Sequence, residues 1–322
     1  MHIVTLGEIL IDMFPAEVGR PLTQVSAFHP KPGGAPANVA VAAHRLGADT
    51  AFIGKVGDDI FGHQLIDVLR QEGVETRGMR VDNEARTTMA IIAMPDENTA
   101  EFVFYRNPGA DLRLCAEELD MTLLQNSRAL HIGSLSLVDE PGRTATLTAV
   151  ATAKENGAFI SFDVNYRPSL WRSDDEALAQ IEAMIPQVDL VKVNEVELAL
   201  LQGEETETAV AIQNILAQGP TLCVLTRGQD GSLAQTAVTS VTVPSFQVET
   251  VDATGCGDAF IAALLTQLTE TADWQQQLTA NRLETVLRYA NAVGALTAQT
   301  QGTIPAMPTA VQVETFLSNQ KT

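Results

Sequence analysis

Basic residues are scarce in this chain: 20 lysines and arginines stand against 40 aspartates and glutamates, leaving a net charge of −20 at neutral pH. A surface that acidic repels phosphate backbones and anionic headgroups, which sets aside nucleic-acid and membrane-surface roles. Any site for an anionic ligand must build local positive potential against that field. Cysteines are few as well. Cys115, Cys223 and Cys256 are scattered, form no CxxC pair and cannot make a disulfide framework, and the five histidines show no metal-ligand spacing. No apolar run approaches the ~18 residues a membrane span requires. The opening "MHIVTLGEILIDMF" holds Glu8 and Asp12 and lacks a basic flank, so it reads as a strand rather than a signal peptide. Also missing are G-x-x-x-x-G-K-[ST] and G-x-G-x-x-G, which removes the P-loop and the dinucleotide fingerprint. What remains is a soluble chain, expected in the cytoplasm.

Its 322 residues, 45% of them hydrophobic, suffice for a large core. Short β-rich runs alternate with helical patterns. Strands are expected at 2–11, 50–57, 129–135, 158–165, 189–194 and 221–228, and helices at 36–47, 59–73, 142–157 and 195–203. Pro36 suits a first helical turn, and Gly47, Gly73 and Gly157 suit C-terminal caps. The alternation predicts an α/β fold with a mostly parallel central sheet covered by helices on both faces. Two segments break the rhythm. "TTMAIIAMP" and "AEFVFYR", separated by "DENT", read as a hairpin, and 15–32 looks extended. Together, over about 13–32 and 86–107, they predict a small antiparallel β lid on a single domain spanning 1–322.

The densest chemistry lies in "VDATGCGDAF", residues 251–260. Phe260, Ile261, Leu264, Leu265 and Leu268 follow with the spacing of a buried helical face, so "TGCG" falls at a helix N-terminus. The first amides there lack intrahelical partners, and the macrodipole adds about half a positive charge. Gly255 and Gly257 keep side chains out of the way of an oxyanion. Asp258 beside such an anion hole can take a proton from a hydroxyl that attacks a phosphoryl group, the geometry of phosphoryl transfer to an alcohol. A glycine-rich turn with no ligand is the plain rival.

"DATGCGDAF" resembles the C-terminal signature of ribokinase-like, phosphofructokinase-B type carbohydrate kinases, and "GGAPANVAVAAHRLG" with "FIGKVGDDIFG" resembles their N-terminal one. The likeness runs from "GEILIDMFP" to "GTIPAMPT". Within the family, "FYRNPGADL", "HIGSLSL", "DVNYRPSLW" and "KVNEVEL" look most like fructokinases. Ketodeoxygluconate and aminoimidazole riboside kinases share much of the pattern. The resemblance implies transfer of phosphate from ATP to a sugar, D-fructose foremost, with Mg²⁺ and in some members K⁺.

It also implies roles. Asp258 would be the base, with Gly255, Cys256 and Gly257 as the anion hole and Arg167 as a phosphate clamp. Asp12, Gly34 and Asn38 would bind sugar hydroxyls, Gly33 would let the backbone approach, and Arg106 on the lid would reach the sugar. Asn194 and Glu197, an N-x-x-E pair, would organise Mg²⁺ through its waters, and Asp252 would serve a monovalent cation. Thr226, Gly228, Gly231, Asn165, Lys192 and Asn291 would meet the nucleotide, with Asn291 near adenine. Each has a rival: Asp12 as a turn cap, Asn194 as a helix N-cap, Arg106 and Arg167 as surface ion-pair members. His44 and His131 read as packed or surface residues. Ala253 replaces a common Thr and Cys256 a common Ala; neither change removes an amide. Cys256 is either a thiol activated by the helix dipole or a buried inert one. A lid with an exposed face would allow a homodimer. A non-catalytic family member is the remaining alternative, against which the intact acidic and glycine positions argue.

Overall fold

The structure, a computed structural model, describes residues 3–17, 19–93 and 101–320. The strands in chain order are β1 Ile3–Leu6, β2 Leu10–Pro15, β3 Phe28–Gly33, β4 Thr50–Gly57, β5 Glu75–Asp82, β6 Met89–Ala93 and β7 Glu101–Tyr105. They continue with β8 Ala129–Gly133, β9 Phe159–Asp163, β10 Leu190–Asn194, β11 Leu222–Thr226, β12 Ser232–Gln235 and β13 Ser240–Val243. The helices are α1 Ala35–Arg45, α2 Ile60–Gln71, α3 Met121–Gln125, α4 Gly142–Glu155 and α5 Asp174–Met184. After them come α6 Glu195–Gln202, α7 Thr208–Leu216, α8 Cys256–Leu268, α9 Ala280–Thr297 and α10 Ala310–Asn319.

The main sheet runs β13-β12-β11-β10-β9-β8-β1-β4-β5. It is parallel from β11 to β5, and β12 and β13 extend it antiparallel. Both faces are covered, so its strands bury consecutive residues, as β4 does along its whole length. One core gathers Ile132, Phe162 and Val193 beneath α3 to α7, and the other gathers Phe159, Leu222 and Val224 beneath α1, α8, α9 and α10. A third cluster, with Ile9, Ile11, Phe52 and Leu65, fills the base of the lid.

The lid is a second sheet of order β3-β2-β6-β7. Its outer pairs are antiparallel as expected, and its central pair, β2 with β6, is parallel. The "DENT" turn lies outside the described residues. Phe102 and Phe104 stack on one face of β7 at 6.2 Å, and Val103 and Tyr105 are exposed on the other, the period-two alternation of a half-covered strand. One expectation is corrected here. Residues 2–11 do not form a single strand: the chain breaks after Leu6, so β1 joins the main sheet and β2 the lid. The break carries Glu8, a buried carboxylate that hydrogen-bonds to α1 instead of continuing the strand.

Candidate active site

The parallel strands end on one side of the sheet, and the chemical residues collect beyond their carboxyl ends, where open α/β sheets bind ligands. Asp163 closes β9, Asn194 closes β10 and Thr226 closes β11. Opposite them α8 starts at Cys256, with Gly255 as its N-cap at φ 80°, a left-handed turn that favours glycine. The Cys256 N–H bonds back to Ala253 O at 3.3 Å, and Gly257 and Asp258 occupy the next two positions, whose amides have no intrahelical acceptor.

Two cavities meet at this turn. The larger, about 380 Å³, is lined by Glu8, Asp12, Gly34, Asn38, Arg167, Lys192, Glu197 and Asp258, with Phe102 and Phe104 of the lid. The other, about 240 Å³, is mainly apolar and runs between Phe246, Val248, Phe260, Ala295 and Ala298, with Gly228, Gly231 and Asn291 in its wall. Thr226, Ala253 and Gly257 line both. The cavities therefore adjoin at the start of α8.

Asp258 is half-buried at that junction, and Asn38 Nδ2 donates to its Oδ2 at 2.8 Å. Burial pushes its pKa up, the Asn38 hydrogen bond pulls it back, and Asp163 opposes Lys192 and Arg167; the result is about 6. Asp12 is pushed to about 7 by burial, then by Asp258 and Glu8. A Cβ on Gly33 would stand 2.0 Å from Asp12 Oδ2, so the absence of a side chain there is what lets the Asp12 carboxylate lie against the backbone. Lys192 Nζ bonds Asp163 Oδ2 at 2.9 Å and would lie 3.2 Å from a Cβ on Gly257. Burial opposes its charge, but Asp163, Glu197 and Asp258 outweigh that and raise its pKa. Arg167 donates to the carbonyl of Tyr166 at 3.0 Å and projects into the larger cavity. Asn165 stands at φ 38°, the one left-handed non-glycine among the described residues, in the same cavity wall.

Asn194 and Glu197 form a reciprocal capping box on α6: each side chain accepts the other's N–H at 2.9 Å. Glu197 Oε1 also accepts Tyr166 N–H at 2.9 Å, and burial raises its pKa. With both oxygens engaged by backbone, direct ligation of Mg²⁺ is a poor fit, and contact through a water on a remaining lone pair is a good one. Among the described residues no group of three His, Cys, Asp or Glu could hold a metal alone. Asp252 is likewise structural in part, accepting N–H from Thr254 and Gly302, both at 2.9 Å.

Several expectations shift. Arg106 does not line the larger cavity: it is buried, its Nε bonds Asp111 Oδ2 at 2.8 Å, and Nη2 donates to Leu135 O at 3.0 Å. Thr88 at the foot of β6 donates to the same Asp111 at 2.5 Å, so the cluster ties the lid to the main sheet. Asn291 spends its amide on Ser232, Val243 and Pro244, shaping the wall of the apolar cavity. An activated Cys256 is contradicted. Burial, then Asp252 and Asp258, push its thiol to about 12, outweighing the helix dipole. His131 is packed, bonded to Ser161 at 3.0 Å, and burial takes its pKa down to about 4. Asp163 and Glu8 were missed as site residues. For Glu8 the signal was available, since it is a carboxylate in an apolar run as Asp12 is.

A ribokinase-like fold, with an apolar cavity opening onto a carboxylate-lined one, defines a sugar kinase of this architecture. The chain belongs to the pfkB family of carbohydrate kinases, whose model matches residues 1–310. It is 42% identical over 318 residues to probable fructokinase-2 of Arabidopsis thaliana, covering 99% of this chain and 96% of that one. Among solved structures it resembles a Xylella fastidiosa fructokinase with bound ATP, with TM-score 0.92, 32% identity, and coverage of 100% of this chain and 99% of that one. It is similar, too, to the Vibrio cholerae O395 fructokinase in its fructose, ADP and calcium ion bound form, with TM-score 0.89, 32% identity, and coverage of 98% and 99%.

Proposed function

We propose that the chain transfers the terminal phosphoryl group of ATP to a hydroxyl of D-fructose, giving fructose 6-phosphate. The observation that carries the reading is the shared wall. An adenine in the apolar cavity directs its phosphates past Thr226, Ala253 and Gly257 toward Asp258. The sugar lies against Asp12, Gly33, Gly34 and Asn38, under the lid phenylalanines that keep out water. Asp258 takes the proton of the attacking hydroxyl, and the free amides of α8, with Lys192 and Arg167, stabilise charge on the transferring group. Magnesium, when bound, neutralises phosphate charge, with Asn194 and Glu197 ordering its waters. Asp252, in the loop before α8, would serve a monovalent cation through the lone pairs left by its bonds to Thr254 and Gly302.

A neutral sugar is favoured over a ketodeoxy acid by charge. Glu8, Asp12, Glu197 and Asp258 outnumber the two cations that face the cavity, Arg167 and Lys192, of which Lys192 is paired with Asp163, and Arg106, the lid cation an acid would require, is paired with Asp111. The names borne by the chain's relatives support fructose. A coupled assay across a sugar panel tests it: fructose should show far higher kcat/KM than ribose, adenosine or 2-keto-3-deoxygluconate. A ketodeoxy acid as best substrate would sink the fructose assignment and leave phosphoryl transfer standing.

A further inference from the structure

Glu8 has no part in the transfer just described, yet it is buried in the break between β1 and β2, where the chain leaves the main sheet for the lid. Burying a carboxylate is costly unless it is held by hydrogen bonds. Its Oε1 accepts the Ala35 N–H at 3.0 Å. Ala35 opens α1, and the N-cap of that helix, Gly34, has no side chain to offer its amides. Glu8 therefore caps α1 from a distant segment of the chain. The two segments also touch along their backbones, since a Cβ on Gly34 would stand 2.6 Å from Glu8 O. Oε2 is buried with no hydrogen-bond partner among the described residues, so the bond from Ala35 N–H is the hydrogen bond that ties the carboxyl to α1. In the same first turn of α1, Asn38 holds Asp258.

We infer that Glu8 is a positioning residue for phosphoryl transfer, fixing the first turn of α1 and thereby setting Asn38 against Asp258. The inference rests on Asp258 being the base. What Ala35 requires is an acceptor of the right length, charged or not. Burial, partly offset by Arg106, brings Glu8 to about 7, so near neutrality it is present in both forms, and each keeps an oxygen for Ala35. Glutamine should then replace it and the shorter aspartate should not.

The test is steady-state kinetics, with the best sugar of the panel, on wild type, Glu8→Ala, Glu8→Gln, Glu8→Asp, Asn38→Ala, the Glu8→Ala/Asn38→Ala double variant and Asp258→Asn. Displacing a catalytic group by a fraction of an ångström to an ångström should lower kcat about 10-fold or more in Glu8→Ala and Glu8→Asp, with sugar KM within about 2-fold. Glu8→Gln should stay within about 3-fold of wild type, and removing Glu8 in the Asn38→Ala background should cost less than about 2-fold more. Equal defects in Glu8→Gln and Glu8→Ala, full additivity with Asn38→Ala, or a change confined to KM would each overturn the inference. Should Glu8→Ala not fold, the Gln and Asp variants decide it alone. A collapse of Asp258→Asn beside a normal Glu8→Asp rejects Glu8 only; an active Asp258→Asn rejects the base reading with it.

Discussion

In the proposed mechanism Asp258 combines two demands on one side chain, proton acceptance and desolvation at the start of α8. Its pKa of about 6 keeps it mainly ionised at neutral pH while leaving it basic enough to accept a proton. Asp258→Asn should lower kcat by ~10² or more with little change in the Michaelis constants. With Asp258 as the proposed base the ionised form is the active one, so kcat/KM of the wild type should fall as pH drops through about 6. Asp12 and Glu8 titrate nearby, so that limb belongs to the cluster. A flat profile between pH 5 and 8 would remove Asp258 from the role. Cys256 makes the opposite case: it touches the anion hole by backbone only, and its thiol is held protonated. Cys256→Ala should keep kcat within about 3-fold, and mass mapping after brief iodoacetamide treatment should find Cys256 unmodified, since the thiolate is the reactive form.

Elements matter here through their ends. The α6 capping box turns the N-x-x-E pair into a structural unit before any metal arrives. Glu197→Gln should cost about 1–2 kcal/mol in urea unfolding, because one acceptor becomes a donor facing a buried N–H. It should also raise the Mg²⁺ requirement more than the sugar KM. Lower stability with an unchanged magnesium titration would leave the pair as a helix start alone. The lid depends on another end-on cluster, Arg106 with Asp111 and Thr88. Asp111→Ala strands a buried guanidinium, and unfolding should show a loss of about 3–5 kcal/mol. A loss under about 1 kcal/mol would mean that the pair is solvated in solution.

Across the whole molecule, the acidic charge and the buried carboxylates act in the same direction. Glu8, Asp12 and Asp258 titrate higher in the folded chain than in the unfolded one, so the folded state binds more protons between about pH 4 and 7. Their stabilising contribution is complete below that window and is lost as pH rises through it. Repulsion among surface carboxylates grows over the same range. Below it the sign reverses, because Asp59, Asp82 and Glu118 are held under their usual values and lose stability once protonated. The ligand-free protein should therefore melt highest near pH 5 and lower at pH 8, and added salt should narrow the gap by screening the repulsion. A melting temperature that rises from pH 5 to 8 would contradict this. Among the described residues no helix is long and apolar enough to cross a membrane.

Local pattern was enough to read the strand–helix alternation, the glycine turn that opens α8 before Asp258 and the half-buried lid, because periodicity and glycine placement are properties of neighbours in the chain. Asp12, Asn38 and Asp258, which the fold brings to one cavity, stand out by the same means, as polar groups in apolar or glycine-rich settings. The break after Leu6 was not, since an apolar run reads alike whether it continues one strand or feeds two sheets. Nor was the fate of Arg106, whose partners Asp111 and Leu135 are brought to it by the fold. The state of Cys256 was decided by tertiary structure for a related reason. A helix dipole is visible in sequence, but the burial and the two carboxylates that override it at that thiol depend on which segments pack around it.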